Sequence, residues 1–302
     1  MDSTDSHPTV NAANAQPKTV YLIRHGVAKH NICNPETGER PDIANDVTLT
    51  DPPLVRQGVW QAQVLGENLR RRGIAAEKGF DQTMDVESCD GAATVELVVC
   101  SPLTRCLQTA SYVFPGHFTR HRNHDTSACS NHSNNHKSES ISNEYTIIRS
   151  RKTPLTILNG DCRVFCHEDV REAFGMHYPD KRSPLSHLKA TFPNVTFHPC
   201  MTEHDTAWSP HTRETYHDVI HRVRNFFQWL SHQPHNCIAI VTHGVWMECA
   251  LMEYCPEVLE GGKKRVYNCE VYCGKLVVME SFGVEDPCVK LKNVRPVSLY
   301  NT

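Results

Sequence analysis

Thr19-Val20-Tyr21-Leu22-Ile23 runs straight into Arg24-His25-Gly26, and far downstream Cys237-Ile238-Ala239-Ile240-Val241 runs into Thr242-His243-Gly244. An apolar, β-branched run of this length reads as a strand buried on both faces, the kind found in parallel sheets covered by helices. The residues just past its C-terminal end lie at the edge of an α/β sheet where ligands bind. Two such edges each offer His-Gly, and one adds an arginine. That pairing points to an anion site with a nucleophile in it.

A third strand candidate, Val95-Glu96-Leu97-Val98-Val99-Cys100, is followed by Ser101-Pro102-Leu103-Thr104-Arg105-Cys106-Leu107-Gln108-Thr109. Serine is a good N-cap and proline is favoured at the first helical position, which predicts a helix over 102–114. Arg105 then falls in the first turn, beside amides and a positive dipole end that favour anions.

Around these segments the pattern alternates strand and helix. Residues 54–73 read as a helix with Val59, Trp60, Val64, Leu65 and Leu69 on one face and Gly73 at its end. Leu155-Thr156-Ile157-Leu158 resumes as a strand. Residues 212–231 carry Tyr216, Val219, Ile220, Val223, Phe226, Phe227 and Leu230 at helical spacing. Residues 244–254 read as a helix, and 264–281 as a hairpin turning at Gly274. This order predicts a mainly parallel sheet with helices on both faces.

Residues 1–18 are polar, lack a signal-peptide core and are expected to be a disordered tail ahead of a single domain over 19–302. Residues 27–53 and 163–210 read as loops, and 77–93 as a polar insertion. Residues 115–152 are rich in Ser, Asn, His and Arg with little to bury, so a mobile surface insertion is expected. It carries His117, His121, His124, His132 and His136, but without a tight ligand spacing, and a polar loop is preferred over a metal tract.

Of 302 residues, 39% are hydrophobic and 22% charged, an ordinary soluble balance. A formal charge of −3 argues against a nucleic-acid binder, and no apolar run is long enough to span a membrane. Fourteen scattered cysteines without a Cys-x-x-Cys pair read as buried reduced thiols of a cytoplasmic protein rather than a disulfide framework. Nothing in the pattern assigns an oligomeric state.

The three motifs together resemble the histidine phosphatase superfamily, the phosphoglycerate mutase-like proteins. Its signature is Arg-His-Gly after the first strand, Ser-Pro-x-x-Arg-x-x-Gln-Thr after the second, and a late His-Gly. All three occur in order, and the resemblance spans residues 18–282. It implies a three-layer α/β/α sandwich. It also implies that His25 is the nucleophile that becomes phosphorylated, that Arg24 and Arg105 bind the phosphate, and that His243 is the second histidine, donating a hydrogen bond over it. Asn31, seven residues beyond Arg24, matches a further phosphate contact. Neutral imidazole is a competent nucleophile near pH 7, and guanidinium forks match phosphate oxygens.

Such chemistry also needs an acid for the leaving oxygen. Glu168, Asp169, Glu172 and Asp180 all follow the strand candidate at 155–158. Val170-Arg171-Glu172-Ala173-Phe174-Gly175 resembles the family's Arg-Glu-x-x-Gly stretch and selects Glu172, whose carboxyl would need a raised pKa.

Two departures bear on the reaction. Leu54-Val55-Arg56-Gln57-Gly58 has valine where the family has threonine. Phe174 to Arg182 lacks the Glu-Arg-His-Tyr-Gly stretch of mutases and, with Asp205 and Trp208, resembles a fungal and plant mutase-like subgroup. The implied activity is hydrolysis of phosphate monoesters through a phosphohistidine. A small phosphorylated substrate is the partner, with no metal and no other cofactor. A phosphoglycerate-type phosphomutase and an inactive binding protein are the alternatives, and intact Arg24, His25, Arg105 and His243 speak against the last.

Overall fold

The two strands that lead into His25 and His243 lie side by side. β1 (Lys18–Arg24) pairs in parallel with a strand at Cys237–Thr242 in a register that sets Arg24 against Thr242. The computed structural model describes residues 16–75, 94–119, 145–149, 154–259, 265–279 and 288–298. After β1 come α1 (Arg56–Arg71), β2 (Leu97–Cys100), α2 (Thr104–Val113) and a four-residue helix α3 (Pro115–Phe118). Next are β3 (Tyr145–Arg149), β4 (Pro154–Leu158), β5 (Val164–Cys166), α4 (Leu185–Thr191) and β6 (Thr196–Phe197). The rest of the chain forms α5 (Tyr216–Ser231), β7 (Cys237–Thr242), α6 (Gly244–Tyr254), β8 (Val271–Met279) and β9 (Cys288–Pro296).

Among the described residues the main sheet has seven strands in the order β6-β5-β2-β7-β1-β8-β9, parallel from β6 to β1 and antiparallel at β8 and β9. Alternation along each strand divides the core between the sheet's two faces. Val20, Leu22, Ile238 and Ile240 pack with Val223, Phe226, Phe227 and Trp246 of α5 and α6. Tyr21, Ile23, Ala239 and Val241 pack with Leu65, Leu69, Leu107 and Val113 of α1 and α2. The three-layer α/β/α expectation holds. Among the described residues no helix is long and apolar enough to cross a membrane.

Several local expectations need correction. The third strand of the main sheet is β5, three residues between Arg163 and His167, too short to stand out as an apolar run. The predicted strand at 155–158 exists as β4, but among the described residues it pairs with β3 alone, in a separate two-stranded sheet. Helix α5 starts at Tyr216 rather than 212, because Thr215 and Asp218 close a reciprocal capping box there.

The hairpin is β8 with β9, and Gly274 lies inside β8 rather than in a turn. A Cβ at Gly274 would stand 2.9 Å from Val294 Cγ2, so glycine answers close packing at a bulge between Cys273 and Lys275.

The segment expected to be a loop over 115–152 contains α3 at one end and β3 at the other, while 120–144 and 150–153 lie outside the described residues. His117 of α3 is buried, with Nε2 3.1 Å from the Val95 carbonyl. Lys18, assigned to the tail, belongs to β1, and its Nζ donates to the carbonyls of Gln233 (2.6 Å) and His235 (2.9 Å). The tail's residues 1–15 and the 77–93 insertion also lie outside the described residues.

Candidate active site

Strand register brings the three motifs together. Arg24 is paired with Thr242 and Cys100 with Val241, so the residues that follow (His25, His243 and Ser101) emerge at one edge of the sheet. Backbone bonds close the junction, with His25 N donating to Thr242 O (3.0 Å) and Ser101 N to Val241 O (3.0 Å).

Arg105 is the hub. It is 1% exposed, and its Nε lies 3.3 Å from His25 Nε2 while its Nη2 lies 3.2 Å from His243 Nδ1. A guanidinium only donates hydrogen bonds, so both of those ring nitrogens accept and carry no proton. His25 Nδ1 is 2.7 Å from the Gly26 carbonyl and donates to it, which fixes the tautomer that leaves Nε2 bare. His243 adopts the opposite tautomer, with Nε2 2.7 Å from Ser101 Oγ. The two rings meet edge to face at 5.1 Å between centroids. Burial first, then the Arg105 charge, holds both histidines well below the ordinary pKa of 6.5, so both are neutral at pH 7.

The remaining bonds of Arg105 orient it, with Nη1 donating to Pro179 O (2.6 Å) and Nη2 to Asp180 Oδ1 (3.0 Å). Helix α2 does not begin as the serine and proline predict. Its first residue is Thr104, and Asp51 from the preceding loop accepts from Thr104 N (2.7 Å) and Thr104 Oγ1 (2.8 Å). Ser101 Oγ accepts only a long bond from Leu103 N (3.4 Å), the residue before the helix, and it also faces His243.

Arg24 donates through Nη1 to the Val266 carbonyl, and its buried Nε has no hydrogen-bond partner among the described residues. An unsatisfied buried donor of this kind is suited to an anion. Its guanidinium rests on Gly244, where a Cβ would approach Arg24 Cζ to 3.3 Å.

The acid candidates separate. Glu168 pairs with Arg171 (2.8 Å) and Arg182 (2.9 Å). Asp169 is pushed up to about 6 by burial, against the opposing charge of Arg222. Asp180 neutralises Arg105 and Arg213. Glu172 is held by backbone amides within the field of Arg105 and Arg213: Oε1 accepts from Ala173 N (3.0 Å) and Oε2 from Val245 N (3.3 Å). Burial first and the Asp180 carboxylate second raise its pKa, against the Ala173 bond and the charges of Arg105 and Arg213.

Asn31 is exposed, and its Oδ1 accepts from Ala28 N (3.0 Å), closing the turn; among the described residues it makes no hydrogen bond to Arg24, His25 or Arg105. Its neighbour His30 faces the site, with its ring 6.0 Å from His25 and its pKa lowered to about 2 by burial and then by Arg105 and Arg24.

The sequence reading passed over His30, Val266 and Asn268, the last donating through Nδ2 to the His25 carbonyl (2.9 Å). His30 was visible as a histidine five residues past His25, whereas Asn268 carried no signal. Asp205 and Trp208, noted for their resemblance, act as scaffold. Asp205 accepts from buried Arg171 (3.1 Å through Nη1), and Trp208 Nε1 donates to the His177 carbonyl (2.9 Å). Among the described residues no group of three or more His, Cys, Asp or Glu could hold a metal ion. His121, His124, His132 and His136 lie outside them.

Comparison with known proteins agrees with the motifs. The sequence profile of the histidine phosphatase superfamily (branch 1) matches residues 147–276, a stretch that carries Glu172 and His243 and follows Arg24, His25 and Arg105. An Arabidopsis thaliana protein named "Phosphoglycerate mutase-like protein 2" is 27% identical over 286 residues, covering 90% of this chain and 75% of its own length. A second from the same plant, "Phosphoglycerate mutase-like protein", is 28% identical over 273 residues, covering 89% and 88%. Among solved structures, the ecdysone phosphate phosphatase from Bombix mori in complex with tungstate aligns at 14% identity with a TM-score of 0.43, covering 93% of this chain and 92% of that one.

Proposed function

We propose that the chain, which resembles the histidine phosphatase superfamily, is a phosphohydrolase that cleaves phosphate monoesters through a phosphohistidine on His25. One observation carries this reading: the bare nitrogens of two neutral, buried histidines both turn toward the N–H groups of a single buried arginine. A structural core has no use for two lone pairs collected around a guanidinium, whereas a phosphoryl group needs a nucleophile and several donors at one point.

In this mechanism the substrate phosphate lies between Arg24, Arg105, His25 and His243. His25 Nε2 attacks phosphorus in line with the departing oxygen; the Nε2–P bond forms as the P–O bond breaks. Protonated Glu172 gives its proton to that oxygen, so the product leaves as an alcohol. Water then attacks phospho-His25, a P–O bond forms as the Nε2–P bond breaks, and Glu172 takes the water's proton, ready for the next cycle. Donation of His25 Nδ1–H to Gly26 keeps the attacking nitrogen bare and the ring oriented throughout.

A hydrolase needs a water path to phospho-His25, whereas a mutase must shield it. The absence of the mutase stretch after Glu172, together with Val55 in place of threonine, supports hydrolysis. The deciding experiment supplies 3-phosphoglycerate with a trace of 2,3-bisphosphoglycerate, alongside a panel of other phosphate monoesters. Release of phosphate from at least one monoester without 2-phosphoglycerate formation is expected. Formation of 2-phosphoglycerate with negligible phosphate release would establish the mutase reaction instead.

A further inference from the structure

Ser101 is wholly buried; its Oγ accepts a long bond from Leu103 N (3.4 Å), which leaves its O–H and a second lone pair free, and it lies 2.7 Å from His243 Nε2. On the opposite side of that ring, Nδ1 accepts from Arg105 Nη2 at 3.2 Å. A neutral imidazole carries one proton. With Nδ1 accepting, that proton is on Nε2 and is donated to Ser101 Oγ. In the protein by itself, His243 therefore presents no N–H toward the place where a phosphate would lie.

A phosphate dianion reverses the requirement, because its oxygens only accept. His243 can hydrogen-bond to it only with the proton on Nδ1, which leaves Nε2 bare and in need of a donor. A hydroxyl serves both states. It accepts from Nε2–H in one and, after rotation about its Cβ–Oγ bond, donates to bare Nε2 in the other. The other polar atom near Nε2 is Cys106 Sγ at 3.3 Å, and a thiol is a weak partner in either sense. An unpaired Nε2 in so buried a place would be costly in whichever state lacked a partner.

We propose that Ser101 is a positioning residue that lets His243 exchange tautomers, with Nε2–H donated to Ser101 in the protein alone and Nδ1–H donated to phosphate when it is bound. The ring releases its Nε2 proton to water and takes one from water at Nδ1, so its charge does not change. Discrimination follows directly: only a ligand rich in acceptors draws the proton to Nδ1. The inference rests on the reading of this site as a phosphate site and holds for either hydrolase or mutase chemistry.

Long-range proton–nitrogen correlation spectra of the nitrogen-15-labelled full chain report which nitrogen of each histidine is protonated. The His243 signals are assigned by their loss in His243→Gln. In the protein alone, His243 should show a protonated Nε2 and a bare Nδ1. With saturating inorganic phosphate the two should reverse, while the His25 signals shift as well. In Ser101→Ala the reversal should be lost and phosphate affinity should fall roughly 10- to 100-fold, the scale on which removing an orienting partner is felt.

Phosphate that shifts His25 but leaves His243 with Nε2 protonated, or with both nitrogens protonated, overturns the proposal and leaves the site reading intact. So does a Ser101→Ala protein that reverses and binds phosphate as the parent does. No response of His25 to phosphate overturns the site reading itself, and this inference with it. Should Ser101→Ala fail to fold, the spectra of the parent protein decide alone.

Discussion

Asp180 Oδ1 lies 3.0 Å from Arg105 Nη2, and both side chains are almost fully buried. The same carboxylate reaches Arg213 Nη1 through Oδ2 at 3.1 Å. A carboxylate so placed both neutralises the guanidinium that holds the two histidines and acts at a distance on Glu172, whose pKa its charge raises. Asp180→Asn should therefore lower the Glu172 pKa. Because Glu172, as the proposed acid, would act only while protonated, the alkaline limb of the kcat/KM profile should move to lower pH. Removing one partner of a buried pair should also destabilise the fold by about 3 kcal/mol. A limb that stays in place would remove Glu172, or its coupling to Asp180, from the mechanism.

Glu172→Gln tests the acid itself. General acid–base catalysis is worth about 10²–10⁴-fold, and an alkyl phosphate, whose alkoxide leaves poorly, should lose that much. With p-nitrophenyl phosphate the leaving group departs unassisted, so the first step should survive while hydrolysis of the phosphoenzyme slows. The expected record is a burst of p-nitrophenolate followed by slow turnover. Equal losses on both substrates, with no burst, would speak against proton donation by Glu172.

Gly244 is needed for room rather than for its backbone freedom. A methyl group there would meet the Arg24 guanidinium at 3.3–3.7 Å. Gly244→Ala should push Arg24 aside and raise KM roughly tenfold, equivalent to about 1.4 kcal/mol of binding, with little change in Tm. An unchanged KM would mean that Arg24 does not bind the substrate phosphate.

Buried histidines make the fold acid-sensitive. His25, His167 and His243 are held well below 6.5, His117 near 4 and His30 near 2, burial being the first cause in each. Between the unfolded value near 6.5 and these depressed values the unfolded chain binds more protons than the fold. Stability therefore falls as pH drops, by up to about 1.4 kcal/mol per unit for each such group. Asp169, raised to about 6, and the raised Glu172 and Glu248 work in the opposite sense, but as three carboxyls against five histidines. Thermal unfolding should show a lower Tm at pH 5 than at pH 7; an equal or higher value would contradict the neutral histidine pair.

What the sequence disclosed follows the range of each interaction. His25, His243 and Arg105 were legible because a long apolar strand, or a strand with its following helix, ends beside each. β5 was not, since three residues carry no period and its identity comes from pairing with β2. Ser101 departs from expectation for a related reason: serine before proline is a good local cap, but Asp51, some fifty residues away, takes the Thr104 N–H, and Ser101, with a long bond to Leu103 N, also reaches His243. Asn268 and Val266 contact the site through one amide and one carbonyl, groups that leave no mark on composition or spacing. Asn31 shows the converse, a motif match whose side chain is engaged in closing its own turn.

In the proposed mechanism His25 becomes phosphorylated during turnover. The most direct measurement mixes Glu172→Gln protein with p-nitrophenyl phosphate, quenches it in alkaline denaturant to preserve a phosphorus–nitrogen bond, and maps the added phosphoryl group by peptide mass spectrometry. The mechanism requires one phosphoryl group on the peptide containing His25, at a level matching the burst, and none in His25→Ala. A burst of p-nitrophenolate with His25 unmodified, or hydrolysis by His25→Ala at the parent rate, would contradict it.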